Sequence, residues 1–302
     1  MTDSKIFDVI IVGGSYSGLA AGMALGRASK KVLIIDEGKP CNRQTPYSHN
    51  FITQDGRTPA EISTLAKKQV EAYKTVEFSD GLATSGYKTT HGFDIHIATG
   101  KTFSAKKLIF ATGIRDILPE AEGFAECWGI SVVHCPYCHG YEIKNQKTGI
   151  VGNGVPGFDF ARLISNWTSD LTLFTNGRPA FTVEQAEKLK NRQIKWVESE
   201  IHKLEYINGY IKQIIFKDGS SFPLKALYAP VPFAQHCTIP ETLGCAYTDE
   251  GYILTDPFQE TSVSGIYACG DNCTRMRTVA NAVAMGTTAG ISLSKKMILE
   301  EF

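Results

Sequence analysis

The chain has no surplus of either charge: 31 Lys and Arg stand against 31 Asp and Glu in 302 residues. It also lacks any basic run or polybasic helix. Together these leave no electrostatic attraction for nucleic acid or an anionic membrane surface, and a small neutral or flat ligand fits the balance better than a polyanion. Long apolar runs are missing too. Ile6 to Val12 is apolar but far too short to span a bilayer, and it leads straight into a glycine loop. Met1 to Asp8 is polar where a leader peptide would be apolar, so the expectation is a cytoplasmic protein. Cysteine is not scarce, at eight residues. In a reducing compartment such a set is not a disulfide framework, and most should be free thiols. A close pair in that setting is redox-active or metal-binding. The composition, 43% apolar and 21% charged, is that of an ordinary globular chain, and the length predicts two domains.

Phe7 to Val12 is a Val- and Ile-rich run that reads as a buried parallel strand. A glycine turn, a helix-compatible stretch from Leu19 to Ala28, and a second strand from Lys31 to Asp36 follow. Strand, glycine turn, helix, strand and terminal acid make one dinucleotide-binding βαβ unit. The pattern recurs at Thr148 to Val151, Gly152 to Gly157, Phe158 to Trp167 and Leu171 to Phe174, which marks a duplication. Between the units, Phe93 to Ile97 and Thr102 to Phe110 alternate as antiparallel strands, ending at Ala111-Thr112-Gly113. Lys212 to Phe216 and Ser220 to Leu224 flank a glycine turn as a hairpin. A helix is expected over Val279 to Met297. The fold class is therefore α/β, with two Rossmann-like three-layer units and crossings between domains expected near Leu118-Pro119 and Pro240.

The first loop reads Gly13-Gly14-Ser15-Tyr16-Ser17-Gly18, with Ser15 where the usual pattern has a glycine facing the pyrophosphate. Serine can still donate at a helix N-terminus. Asp36 is placed for a ribose hydroxyl. Without a ligand the same residues are a bare strand–turn–helix. Gly270-Asp271, an acid after a C-terminal strand and before a small-residue helix, suits a ribityl chain and makes FAD the expected cofactor over NAD. The second loop keeps its glycines at 152, 154 and 157, a possible NAD(P) site, but Thr175-Asn176-Gly177 follows its next strand. Arg178 is the only charge nearby, whereas an NADPH site places arginines there for the 2′-phosphate.

Cys135-Pro136-Tyr137-Cys138 lies between His134 and His139. As a dithiol motif it brings two sulfurs together with a lowered pKa. The same spelling with a following histidine serves c-type haem attachment, which needs export. A zinc site needs a second ligand pair. Glutaredoxins carry CPYC early in a much shorter chain. Cys41, Cys269 and Cys273 read as small buried hydrophobes.

With VGGSYSG at 12–18, ATG at 111–113, CPYC at 135–138, GNGVPG at 152–157, TSVSGIYACGD at 261–271 and Arg277-Thr278-Val279, the chain resembles the low-molecular-weight thioredoxin reductases over its whole length. The resemblance implies a discontinuous FAD-binding domain over 1–117 and 241–302, an NAD(P)-type domain over 118–240 inserted in it and carrying the dithiol, a homodimer, and a domain rotation that shows the dithiol alternately to flavin and substrate. It extends the flavin set to Glu37, Arg43 and Asn50. It implies that Cys138 meets the flavin and Cys135 the substrate sulfur, with His139 as acid–base and His134 as its alternative. Cys135 to Glu142 reads CPYCHGYE, which is similar to an offshoot containing gliotoxin- and holomycin-type dithiol oxidases and relatives without a known use for NADPH. The expected function is thiol–disulfide exchange with a thioredoxin-like protein or a small dithiol. A dithiol oxidase passing electrons to oxygen and a non-enzymatic redox sensor are the alternatives.

Overall fold

A computed structural model describes residues 6–302. The described residues fall into two compact units, 6–43 with 50–115 and 233–302, and 44–49 with 116–232.

In the first unit the strand Ile6–Val12 pairs in parallel with Val32–Asp36 on one side and Thr102–Phe110 on the other. Val76–Asp80 extends the sheet beyond Val32–Asp36, while Gly92–Ile97 and Ala83–Thr89 continue it antiparallel beyond Thr102–Phe110. The late strand Ile266–Ala268 joins in parallel at Leu108 to Phe110. Apolar residues fill Ile6–Val12 because both of its faces are covered. Ile10 and Val12 pack with Leu33, Ile35, Phe93 and Ile95. Val9 and Ile11 pack on the opposite face with Leu19, Leu25, Val70 and Leu293.

The helices Tyr16–Arg27 and Val279–Glu301 lie together on that second face. A Cβ at Gly286 would strike the Ser17 carbonyl, and one at Gly290 would crowd the Ala21 carbonyl. Since 286 meets 17 and 290 meets 21, the helices run parallel with their N-termini toward the same end. Glycine at both contacts lets the backbones approach closely. With the pairing of Ile266–Ala268 on Thr102–Phe110, this contact ties the late segments of the chain to the early ones.

The second unit holds five parallel strands in the order Lys195–Val197, Leu171–Phe174, Thr148–Val151, Ala226–Tyr228 and Val132–Val133. The helix Gly154–Ile164 covers one face through Phe158, Ala161 and Ile164. On the other face the antiparallel strands Ile201–Ile207, Tyr210–Phe216 and Ser221–Pro223 contribute Leu204, Ile214 and Phe216. The expected hairpin is present, and the expected helix starts at Gly154 rather than Phe158.

The division differs from the expected limits of 117/118 and 240/241, falling at 115/116 and 232/233. Ile239 explains the later one: it is buried with Phe93 and Ile95 in the first unit's core, which carries residues 233–240 with it. No helix among the described residues is long and apolar enough to cross a membrane.

Gly286→Val should destabilise the protein by about 1–3 kcal/mol, the usual cost of overpacking. Ala284→Gln, at an exposed site on the same helix, should stay within about 0.5 kcal/mol of the parent. Urea denaturation of the two variants checks the contact.

Candidate active site

The first glycine loop follows directly on Ile6–Val12. Gly13 has φ +104°, and a Cβ there would strike the Ala111 carbonyl, so the turn and Ala111-Thr112 can approach only through glycine. Gly14 N donates to Asp36 Oδ1 at 2.9 Å and Gly38 N to Asp36 Oδ2 at 3.1 Å. Asp36, expected to take a ribose hydroxyl, thus also ties the turn to the end of the next strand. Ser15 is the N-cap of Tyr16–Arg27 but makes no side-chain cap bond, and the first turn carries no acid. Such an uncapped N-terminus favours an anionic phosphate.

Gly270 lies against Ser17, which brings Asp271 to the same loop. Asp271 Oδ2 stands 3.7 Å from Arg277 Nε and 4.0 Å from Cys41 Sγ. Thr278 caps the C-terminal helix by accepting from Asn281 N at 3.1 Å, and Val279 begins that helix. Residues 13–18, 36, 111–112, 270–271 and 277 thus gather in one unit. Glu37 is instead engaged with Lys39 at 2.6 Å, which holds its carboxyl below the usual range. Arg43 Nη1 donates to the Pro40 carbonyl at 3.2 Å, and Asn50 N to Asp55 Oδ1 at 2.7 Å. Gly113 has φ +62° just beyond Thr112.

Asn272 was not singled out from the sequence. It is fully buried and donates through Nδ2 to Phe110 O at 2.9 Å and Thr112 Oγ1 at 3.3 Å, while its Oδ1 has no hydrogen-bond partner. Asn42 donates to Tyr16 Oη at 3.2 Å and likewise leaves a buried Oδ1 without a partner. A buried polar atom without a partner is costly. Two such acceptors beside the glycine loop and the strand end at Phe110 fit a ligand carrying hydroxyl or N–H donors. The uncapped helix N-terminus fits its phosphates, so the residues present suit FAD. Cys269 is fully buried and its thiol is pushed up to about 12; burial raises the half-buried Cys273 thiol as well.

In the second unit, Leu227 and Tyr228 pair with Val132 and Val133, which puts Cys135 just past the end of a sheet strand. Cys135 is the N-cap of the short helix Pro136–His139, with Pro136 where its missing N–H costs nothing. Cys138 N donates to Cys135 Sγ at 3.1 Å, and the two cysteines form a disulfide. A Cβ at Gly140 would strike Trp167, whose ring meets Tyr137 edge-on at 5.5 Å.

The two histidines differ in surroundings. His134 stacks on Trp128 at 5.9 Å, and Trp128 Nε1 is fixed by Asp116 Oδ2 at 3.2 Å. Burial, and then the neighbouring His49, push His139 down to about 4. With so low a pKa the ring is neutral near pH 7.

The glycines of the second loop form the expected strand–turn–helix, with Gly154 at φ +57°. Asn153 fills the turn. Its Oδ1 accepts from Gly154 N and Ala180 N, both at 2.8 Å, and its Nδ2 donates to Arg178 O at 2.9 Å and Thr175 O at 3.2 Å. The Gly154 amide, well placed to meet a dinucleotide phosphate, is therefore already satisfied from within the chain.

His139 has a folded pKa below its unfolded value of about 6.5, so the unfolded chain binds the extra proton first. Its contribution to stability is present above about pH 6.5 and is lost as the pH falls toward 4. At pH 5 the loss relative to pH 7.5 should be about 2 kcal/mol. His139→Gln should remove that part of the pH dependence, as read from urea midpoints at the two pH values.

The model of the pyridine nucleotide-disulphide oxidoreductase family matches residues 7–286. Thioredoxin reductase tcpT of Claviceps purpurea is 30% identical over 312 residues, covering 99% of this chain and 97% of that protein. The solved oxidoreductase from Agrobacterium tumefaciens superposes with a TM-score of 0.90 at 36% identity, covering 98% and 99% of the two chains. A putative thioredoxin reductase TrxB from Bacillus anthracis reaches a TM-score of 0.93 at 29% identity, over 98% and 100%. The chain belongs to the pyridine nucleotide-disulphide oxidoreductase family and is an FAD-dependent oxidoreductase of thioredoxin reductase type.

Proposed function

We propose that the protein is a thiol–disulfide oxidoreductase whose Cys135–Cys138 pair trades electrons with FAD and with a thiol substrate, without NADPH as the donor. The observation that carries the second half of this reading is Asn153, whose four hydrogen bonds satisfy the glycine loop from within. The missing arginine pair after Phe174 supports it from the sequence side. A pyridine nucleotide would have to break those bonds and find no charged partner for a 2′-phosphate.

The chemistry follows from the residues. Cys135 and Cys138 carry the electron pair as disulfide or dithiol, with Cys138 facing flavin and Cys135 facing substrate. FAD, when bound at the first glycine loop, supplies a two-electron acceptor. His139 takes and returns the proton as a neutral imidazole, while His134 positions the motif through its stack on Trp128. The substrate is a thioredoxin-like protein or a small dithiol. The cytoplasmic, homodimeric setting implied by the family resemblance belongs to this reading. The same loop also favours a second reading, a dithiol oxidase: without a nicotinamide partner, electrons delivered by a dithiol leave the flavin for another acceptor, and oxygen is the simplest.

An anaerobic titration tests the proposal. NADPH at about 10 μM, within the ordinary range of enzyme KM values, should leave the flavin oxidised, whereas dithiothreitol should bleach it. Bleaching by NADPH within seconds would show that the second loop is a working nucleotide site. Readmitting air after dithiothreitol then separates the two readings: fast reoxidation with continued turnover marks the oxidase.

A further inference from the structure

Thr112 lies two residues past the strand Thr102–Phe110, half-buried beside the first glycine loop: its N would stand 3.2 Å from a Cβ on Gly13. Thr112 Oγ1 accepts from Asn272 Nδ2 at 3.3 Å. The same Nδ2 donates to Phe110 O at 2.9 Å. A carbonyl can only accept, so the Asn272 amide cannot turn over without setting two oxygens together. Thr112 Oγ1 is therefore fixed as the acceptor in its contact with Asn272. A hydroxyl has one hydrogen, and that of Thr112 is left to point away from Asn272.

Asn272 is itself held firmly. It is fully buried, and its main-chain O accepts from Ile253 N and from Gln235 Nε2, each at 2.9 Å. Gln235 Nε2 also donates to Gly251 O at 2.8 Å, which fixes that amide in the same way. Gln235 ends the strand Phe233–Gln235, which pairs with Ile114–Asp116, the continuation of Ala111-Thr112-Gly113. Thr112 is thus supported along the chain by this strand pair and from the side by Asn272.

We propose that Asn272, held by Gln235, is a positioning residue that turns the Thr112 hydroxyl toward FAD as a donor to a pyrophosphate oxygen. The first glycine loop and the uncapped N-terminus of Tyr16–Arg27 favour the phosphates of the cofactor, and Thr112 borders that loop. A freely rotating hydroxyl also samples orientations that do not face the ligand. One already engaged by an amide has lost much of that freedom before the cofactor arrives. A hydrogen bond to a charged oxygen is also among the stronger kinds. Asn272 acts through Thr112, and Gln235 through Asn272. The pair does this whichever donor reduces the flavin.

The test starts from the holoenzyme and follows FAD release on stepwise dilution by flavin fluorescence. Thr112→Val, which removes the hydroxyl, should weaken FAD binding ~10-fold, and Asn272→Ala ~5-fold. Thr112→Ser keeps the hydroxyl and should stay within about twofold of the parent. In a Thr112→Val background Asn272→Ala should cost nothing more, because its effect passes through the missing hydroxyl. ADP carries the phosphates without the ribityl chain, and displacement of FAD by ADP gives its affinity. Thr112→Val should weaken ADP by the same factor as FAD. Should Asn272→Ala not fold, Gln235→Met takes its place, with a loss of ~3-fold that again vanishes in Thr112→Val. Asn272→Ala or Gln235→Met losses that persist in Thr112→Val would overturn the proposal. So would a Thr112→Ser variant as weak as Thr112→Val, or a loss confined to FAD with ADP unchanged.

Discussion

The contact on which the first unit depends is the parallel packing of Tyr16–Arg27 against Val279–Glu301. It works because Gly286 and Gly290 present bare backbone to Ser17 and Ala21. A side chain at either position would separate the helices, and with them Gly270-Asp271 from the first glycine loop. The residues proposed to hold FAD lie far apart in the sequence, so no local element can assemble them. Close helix contact does so, and it also sets both helix N-termini toward one end, where a dinucleotide's phosphates find favourable dipoles.

The second unit repeats the strand–turn–helix frame with different chemistry in it. Its turn is closed by Asn153, which gives the Gly154 amide an internal acceptor, and its distinctive groups sit instead at the end of Val132–Val133. There the short helix after Cys135 brings the two sulfurs together, and aromatic rings fix the flanks: Trp128 under His134, Trp167 against Tyr137. Burial and the neighbouring His49 hold the His139 ring neutral near pH 7. The same strand–turn–helix frame is thus open at its turn in the first unit and closed by Asn153 in the second, where the disulfide lies elsewhere.

Much of this was legible in the residues. The strands around both glycine loops followed from short Val- and Ile-rich runs, because parallel strands covered on both faces have few polar positions. The dithiol and the C-terminal Gly-Asp were visible as spelled motifs. Contacts without a period or a motif were not. Nothing local marks residues 44–49 as members of the second unit; a loop carries no pattern that reports its partner, and His49 went unnoticed for that reason. Asn272 was hidden in the same way, since one buried amide bridging Phe110 and Thr112 looks in sequence like any residue after a turn. Asn153 was read as part of a glycine motif, and only its bonds to Thr175, Arg178 and Ala180 reveal that it closes the loop. Ile239, close to the expected crossing near Pro240, packs in a core built mainly from strands far earlier in the chain, a contact no local pattern reports.

The proposed electron transfer between Cys138 and FAD can be tested directly. Its most direct measurement is the visible absorbance spectrum of the purified Cys135→Ser variant across pH 5–9. With its partner sulfur gone, Cys138 should persist as a thiolate against oxidised flavin and produce a long-wavelength charge-transfer band that is absent from Cys138→Ser. A band in Cys138→Ser, or in neither variant while FAD remains bound, would contradict the account.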